Sequence, residues 1–69
     1  MHKFPKVLKE LREEHGLTQS VLANKLGYKN AVTITKWETG TRTPDLDNLI
    51  LIAKFFRVTL NELVGVETT

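Results

Sequence analysis

Apolar residues recur along this chain at helical spacing almost from end to end. Phe4, Val7, Leu8 and Leu11 follow the i, i+3, i+4, i+7 rule and predict a first helix with one buried stripe. Pro5 suits its first turn, where a missing N–H costs nothing. Val21, Leu22 and Leu26 mark a second helix, with Ala23 leaving room for a close neighbour. Val32, Ile34 and Trp37 mark a third. Leu46, Leu49, Ile50, Ile52, Ala53 and Phe56 give a fourth, whose wide apolar face is expected to be the most buried of the set. Leu60, Leu63 and Val64 complete a short fifth. No strand-period alternation, internal repeat or low-complexity tract interrupts the series. The pattern predicts an all-α chain, a compact five-helix bundle forming one domain over residues 1–69.

The residues between these segments agree with the division. Gly16, Gly27, Gly40 and Gly65 each fall just after a predicted helix, where a left-handed residue closes the last turn. Thr18, Asn30, Asp45 and Thr59 are the predicted N-caps, and Thr59 with Glu62 has the spacing of a capping box. The fourth helix ends near Arg57 without a glycine. A left-handed Arg57 would carry about 1 kcal/mol of strain.

Composition then narrows the function. Sixty-nine residues with 41% hydrophobic content fill one small core and leave no room for a large enclosed substrate cavity. The net charge of +2 is a weak signal, but its distribution is not even. Within residues 18–44, Lys25, Lys29, Lys36 and Arg42 face Glu38 alone, whereas Asp45, Asp47, Glu62 and Glu67 follow. With no cysteine, disulfides and thiolate metal sites are excluded. The longest apolar run, within residues 49–53, is too short to cross a bilayer, and no signal-peptide hydrophobic region is present. A soluble, cytoplasmic protein is expected. His2 and His15 have no partners at metal-ligand spacing, and Ser20, the sole serine, has no base nearby. No metal, cofactor, small-molecule ligand or enzymatic activity is therefore expected.

The third helix carries the chemistry. With Ile34 as its core anchor, supported by Leu22, Ala23 and Leu26, the residues left over are Ala31, Val32, Thr35, Lys36 and Thr39. An exposed helix face usually carries Glu and Lys; this one holds no acid and is small at its start. Ala, Val and Thr contact thymine methyls in the major groove, and lysine reaches guanine or a phosphate. An ordinary solvated helix explains the same pattern, and the face alone does not decide between the two. The flanks tip the balance. Thr18, Gln19 and Ser20 open the second helix with polar side chains, and Thr39, Thr41, Arg42 and Thr43 follow the third. Helix capping and a solvated loop are the plainer account of each cluster by itself. Together they bracket a small-residue helix as a DNA backbone requires.

At this point the chain resembles a known family. Leu17-Thr18-Gln19, Leu22-Ala23, Leu26-Gly27, Ile34-Thr35-Lys36-Trp37-Glu38-Thr39-Gly40, Thr43-Pro44 and Val58-Thr59-Leu60-Asn61-Glu62-Leu63 are similar to motif positions of the phage repressor/Cro-type helix-turn-helix regulators, the XRE-like family. The resemblance spans residues 8–64, with the helix-turn-helix itself at about 18–39. It implies the lambda-repressor-like five-helix fold, operator binding as a homodimer, and transcriptional control, with repression the leading reading. By position, Gln19 matches a phosphate-clamping glutamine, and Ala31, Val32 and Lys36 match base-reading positions. Thr39, Thr41 and Arg42 fall in a backbone-facing loop, and Arg12 with Glu38 matches a structural ion pair.

Two departures from the family pattern stand out. Between Gly27 and Ile34 there is one residue more than usual, placing an enlarged turn at Tyr28-Lys29-Asn30 and offering Lys29 and Asn30 to DNA. The base-reading positions hold Ala and Val where relatives often carry Gln, Arg or Ser, so methyl contacts, Lys36 and DNA shape are expected to carry specificity. Trp37 is expected at the edge of the core, with flanking of sugar or phosphate the alternative. Leu60, Val64 and Val66 either close the core or form a two-fold interface, as the family often does after its fourth helix. An antitoxin or adaptor module, using the same fold to hold a protein, is the competing function. The chain reads equally as a complete small regulator or as the N-terminal part of a longer one.

Overall fold

The computed structural model describes residues 3–65, arranged as α1 (Phe4–Glu14), α2 (Gln19–Lys25), α3 (Val32–Thr39), α4 (Leu46–Phe56) and α5 (Leu60–Val64), with no strand among the described residues. Five helices is the architecture that the apolar spacing predicts. Each helix contributes at least one completely buried residue: Leu8, Leu22, Ile34, Ile52 and Leu63 are all 0% exposed, as is Ala23. Phe4, Ala23, Leu26, Trp37, Ala53 and Phe56 fill the space around them. Each large aliphatic or aromatic side chain withdrawn from water in this way stabilises the fold by about 1.5–3 kcal/mol.

Local signals set the ends of the helices. Pro5 lies in the first turn of α1. The Thr18 hydroxyl accepts from Val21 N (3.1 Å), Asp45 Oδ1 from Asn48 N (2.9 Å), and the Thr59 hydroxyl from Glu62 N (3.0 Å). These satisfy backbone donors that a helix start leaves without partners. Gly27, at φ +93°, turns the chain sharply after α2, and Tyr28 N then bonds back to Ala23 O (2.9 Å). Arg57 closes α4 in the left-handed region (φ 58°, ψ 44°), the one non-glycine residue there among those described.

Two expectations need correction. The N-cap of α3 is Ala31, not Asn30, because Ala31 O already accepts the first helical bond from Thr35 N (2.9 Å). Asn30 still contributes: its Oδ1 accepts from Val32 N at 3.0 Å, one residue earlier in the turn than an N-cap would sit. The capping box at α5 is half formed. Glu62 accepts from the Thr59 hydroxyl (3.2 Å) rather than from the Thr59 backbone. The fourth helix buries the most, as expected: Ile52, Ala53 and Phe56 are three buried residues against two or fewer in each other helix, although Leu46 stays 62% exposed.

Packing places α3 against both α1 and α2, while α5 packs against α1 and α4. The ends of the described chain meet, since Lys3 N donates to Val64 O at 2.7 Å. This leaves α3 braced on its inner side by two helices and open on the other.

Candidate nucleic-acid interface

The two faces of α3 differ sharply. Ile34 and Trp37 are buried, at 0% and 3% exposure, whereas Val32, Thr35, Lys36 and Thr39 lie on the surface and Ala31 is half-buried. Trp37 belongs to the core, not to its edge. Its ring meets Phe4 (centroids 6.5 Å apart) and Tyr28 (5.7 Å), both edge to face.

The single acid of α3 points inward. Glu38, its side chain only 4% exposed, takes Arg12 Nε on Oε2 at 2.7 Å and Arg12 Nη2 on Oε1 at 3.1 Å. The third arm of the fork, Arg12 Nη1, donates to Leu17 O at 2.9 Å. One guanidinium thereby ties α1 to α3 and to the loop that leads into α2. The hydrogen bond to Glu38 holds the Arg12 guanidinium above its ordinary value, aided by the Glu38 charge and, more weakly, by Glu13, against the opposing effect of burial.

Gln19 joins the same network. Its Nε2 donates to Glu38 Oε1 (3.1 Å), and its Oε1 accepts from the Thr35 hydroxyl (2.8 Å), which also lies 3.1 Å from Ala31 O. The first residue of α2 is therefore fixed to the middle of α3. The Thr35 hydroxyl hydrogen is committed inside the protein, so Thr35 offers outward an acceptor and a methyl rather than a donor.

The remaining residues singled out in the sequence are placed as follows. Ser20 and Lys29 are exposed, and Thr18 and Asn30 are exposed but use their side-chain oxygens on the backbone. After α3 the chain folds back, Arg42 N bonding Lys36 O (3.2 Å) while the Thr39 and Thr41 hydroxyls meet at 2.9 Å. Arg42 and Thr43 are exposed, and with Lys36, Val32 and Thr33 they line a cleft of about 340 Å³ floored by Tyr28, Trp37 and Pro44. Leu60 is 39% exposed and Val64 half-buried; Val66 and His2 lie outside the described residues. His15 bonds Leu11 O through Nδ1 (2.8 Å) and stacks edge-on with Phe56. Among the described residues no group of acids and histidines is arranged to hold a metal, and no helix is long and apolar enough to cross a membrane.

The Gln19 bonds to Glu38 and Thr35 went unread in the sequence, as did one further contact. The Tyr28 hydroxyl donates to Asn48 Oδ1 at 2.7 Å, joining the turn before α3 to the first turn of α4. The available signal was an aromatic residue inside a turn one residue longer than usual.

A capped short helix, a tight glycine turn and a second helix with one buried and one open face define a helix-turn-helix protein. A helix-turn-helix family model matches residues 8–63, and the chain belongs to that family, the phage repressor/Cro-type (XRE-like) regulators. It is 42% identical over 65 residues to the HTH-type transcriptional activator BcrR of Enterococcus faecalis, covering 94% of this chain and 31% of that protein. It is 38% identical over 63 residues to the cryptic phage CTXphi transcriptional repressor RstR of Vibrio cholerae, covering 90% of this chain and 55% of that protein. The crystal structure of a transcriptional regulator from Listeria innocua superposes with a TM-score of 0.89 at 32% identity, over all of this chain and 64% of that one. This chain thus spans about a third to two thirds of the length of these proteins. Membership in this family of transcriptional regulators implies binding to double-stranded DNA.

Proposed function

We propose that this chain is the sequence-reading part of a cytoplasmic transcriptional repressor, without catalytic activity, that binds a palindromic operator as a homodimer. Each protomer lays α3 in the major groove, with half-sites separated by roughly 34 Å. The observation that carries this reading is the inward turn of Glu38. Pairing with Arg12 takes the only acid of α3 off its surface and leaves a face of Ala31, Val32, Thr35 and Lys36 without negative charge. A polyanion can approach such a face closely, and the methyl-rich start fits against thymine.

Backbone contacts come from both sides. Ser20, Thr18 and Gln19 lie at the start of α2, while Thr39, Thr41, Arg42 and Thr43 follow α3, with Lys29 and Asn30 in the turn between. Gln19 serves in this scheme as a clamp held ready by Glu38 and Thr35, its second amide hydrogen directed to a phosphate. Leu60 and Val64, with Val66, supply the two-fold contact. Repression requires only that the operator be occupied, whereas activation requires a further surface for the transcription machinery.

Selection of bound duplexes from a random pool tests this reading, followed by titration of the enriched duplex against salt. The expected result is a two-fold symmetric motif whose binding constant falls by about 0.9 log units per log unit of salt for each phosphate neutralised. Weak, sequence-blind binding to every duplex overturns it and favours a protein-binding adaptor.

A further inference from the structure

The enlarged turn before α3 is held by an unusual set of contacts. Tyr28, which opens it, is half-buried, its ring edge-on to Trp37 at 5.7 Å and an interplanar angle of 88°. Its hydroxyl donates to Asn48 Oδ1 at 2.7 Å. Asn48 passes the connection on, because its Nδ2 donates to Asp45 Oδ1 at 2.9 Å, the same oxygen that caps α4 through Asn48 N. A continuous chain of bonds therefore runs from the turn, through Asn48, to the residue where the loop after α3 ends. It spans the cleft whose other lining includes Val32, Lys36, Arg42 and Thr43.

We propose that Tyr28 and Asn48 are positioning residues for DNA recognition: their hydrogen bond sets the depth and angle of α3 relative to the loop carrying Arg42 and Thr43. This inference rests on the DNA-reading function proposed above. The physical need is clear. Glu38 and Gln19 fix the middle and end of α3 to α1 and α2, but neither reaches the turn that leads into it. With one extra residue, that turn has more conformations available than a shorter one. Asn30 bonds only to the adjacent Val32 N and so does not tie the turn to another helix. Tyr28 is the residue of the turn with a side-chain bond to a distant element, across 20 positions of sequence. Holding the turn to α4 makes base reading by Val32 and phosphate contact by Arg42 parts of one rigid arrangement.

Tyr28→Phe and Asn48→Ala test this, measured on the full chain with the duplex enriched by wild type and with an unrelated duplex. Phenylalanine keeps the ring against Trp37, and alanine leaves Asp45 able to cap α4 through the backbone of residue 48. Each variant is expected to lose about five-fold in affinity for the enriched duplex, the worth of one neutral hydrogen bond, and less than about two-fold for the unrelated one. Binding is compared at temperatures where melting curves show all proteins folded, so loss of stability does not imitate the effect. The double variant is expected to be no worse than either single one, since both remove the same link. Wild-type discrimination in both variants overturns the inference and leaves the DNA-reading function standing. Equal losses on both duplexes, or additive losses in the double variant, also overturn it. Failure of the wild-type protein to enrich any duplex removes the underlying function as well, so the two failures are distinguishable.

Discussion

At the scale of single residues, Arg12 stands out among the described residues for the number of bonds its side chain makes. Three of its nitrogens are bonded, two to Glu38 and one to Leu17 O. Removing either partner of this nearly buried pair strands the other, and Glu38→Ala or Arg12→Ala is expected to cost about 3 kcal/mol in denaturant unfolding. Arg12→Lys is expected to recover less than half of that loss, because an ammonium cannot span both the carboxylate and the carbonyl. Native stability in the lysine variant would contradict the forked role. The sign of the pH dependence follows from the raised guanidinium. A folded value above the unfolded one means that Arg12's share of stability is complete across the neutral range and fades only as strongly alkaline pH is passed. Arg57 supplies an opposite case. Its left-handed backbone carries strain, and Arg57→Gly is expected to raise stability by about 0.5–1 kcal/mol, read as a higher melting temperature.

At the scale of helices, most of the fold was legible in the sequence, and the failures share a physical cause. Spacing located all five helices because each needs one apolar stripe, and Leu8, Leu22, Ile34, Ile52 and Leu63 sit at the centre of those stripes. Leu46 belongs to the predicted apolar face of α4 yet stays 62% exposed, because periodicity does not measure how much of a face its neighbours cover. Asn30 was misplaced as a cap because residue type alone does not fix where a first turn begins, and the chain enters α3 through a side-chain-bonded turn. The Arg12–Glu38 contact came from family resemblance, since a separation of 26 residues leaves no periodic trace. The engagement of Gln19 with Glu38 and Thr35, and of Tyr28 with Asn48, was not read at all, because side-chain bonds between helices depend on three-dimensional placement. On α3 itself the proposed roles predict different responses. Lys36→Ala is expected to weaken the enriched duplex by about 1–3 kcal/mol and unrelated DNA far less. Arg42→Ala is expected to weaken both alike and to lower the salt slope by about 1. Indistinguishable behaviour of the two variants would contradict the division between base and backbone contacts.

At the scale of the whole molecule, the described ends of the chain lock together. Lys3 N bonds Val64 O, and Gly65 at φ +70° lies so close to Lys3 that an added Cβ would come within 2.8 Å of the Lys3 Cβ. Gly65→Ala is therefore expected to destabilise by more than 1 kcal/mol, combining left-handed strain with a collision between α5 and the start of α1. Thermal melting checks this, and an unchanged midpoint would show that the two ends separate easily. The distribution of charge and apolar surface across the molecule points the same way as the single residues. The acid-free face of α3 is flanked by Lys29 and Arg42, while the exposed Leu60 lies on α5. The central claim is that the outer face of α3 reads a base sequence. Selection from a random duplex pool tests that claim most directly: enrichment of a two-fold motif with half-sites about one helical turn apart is predicted, and a pool that stays random through repeated rounds would contradict it.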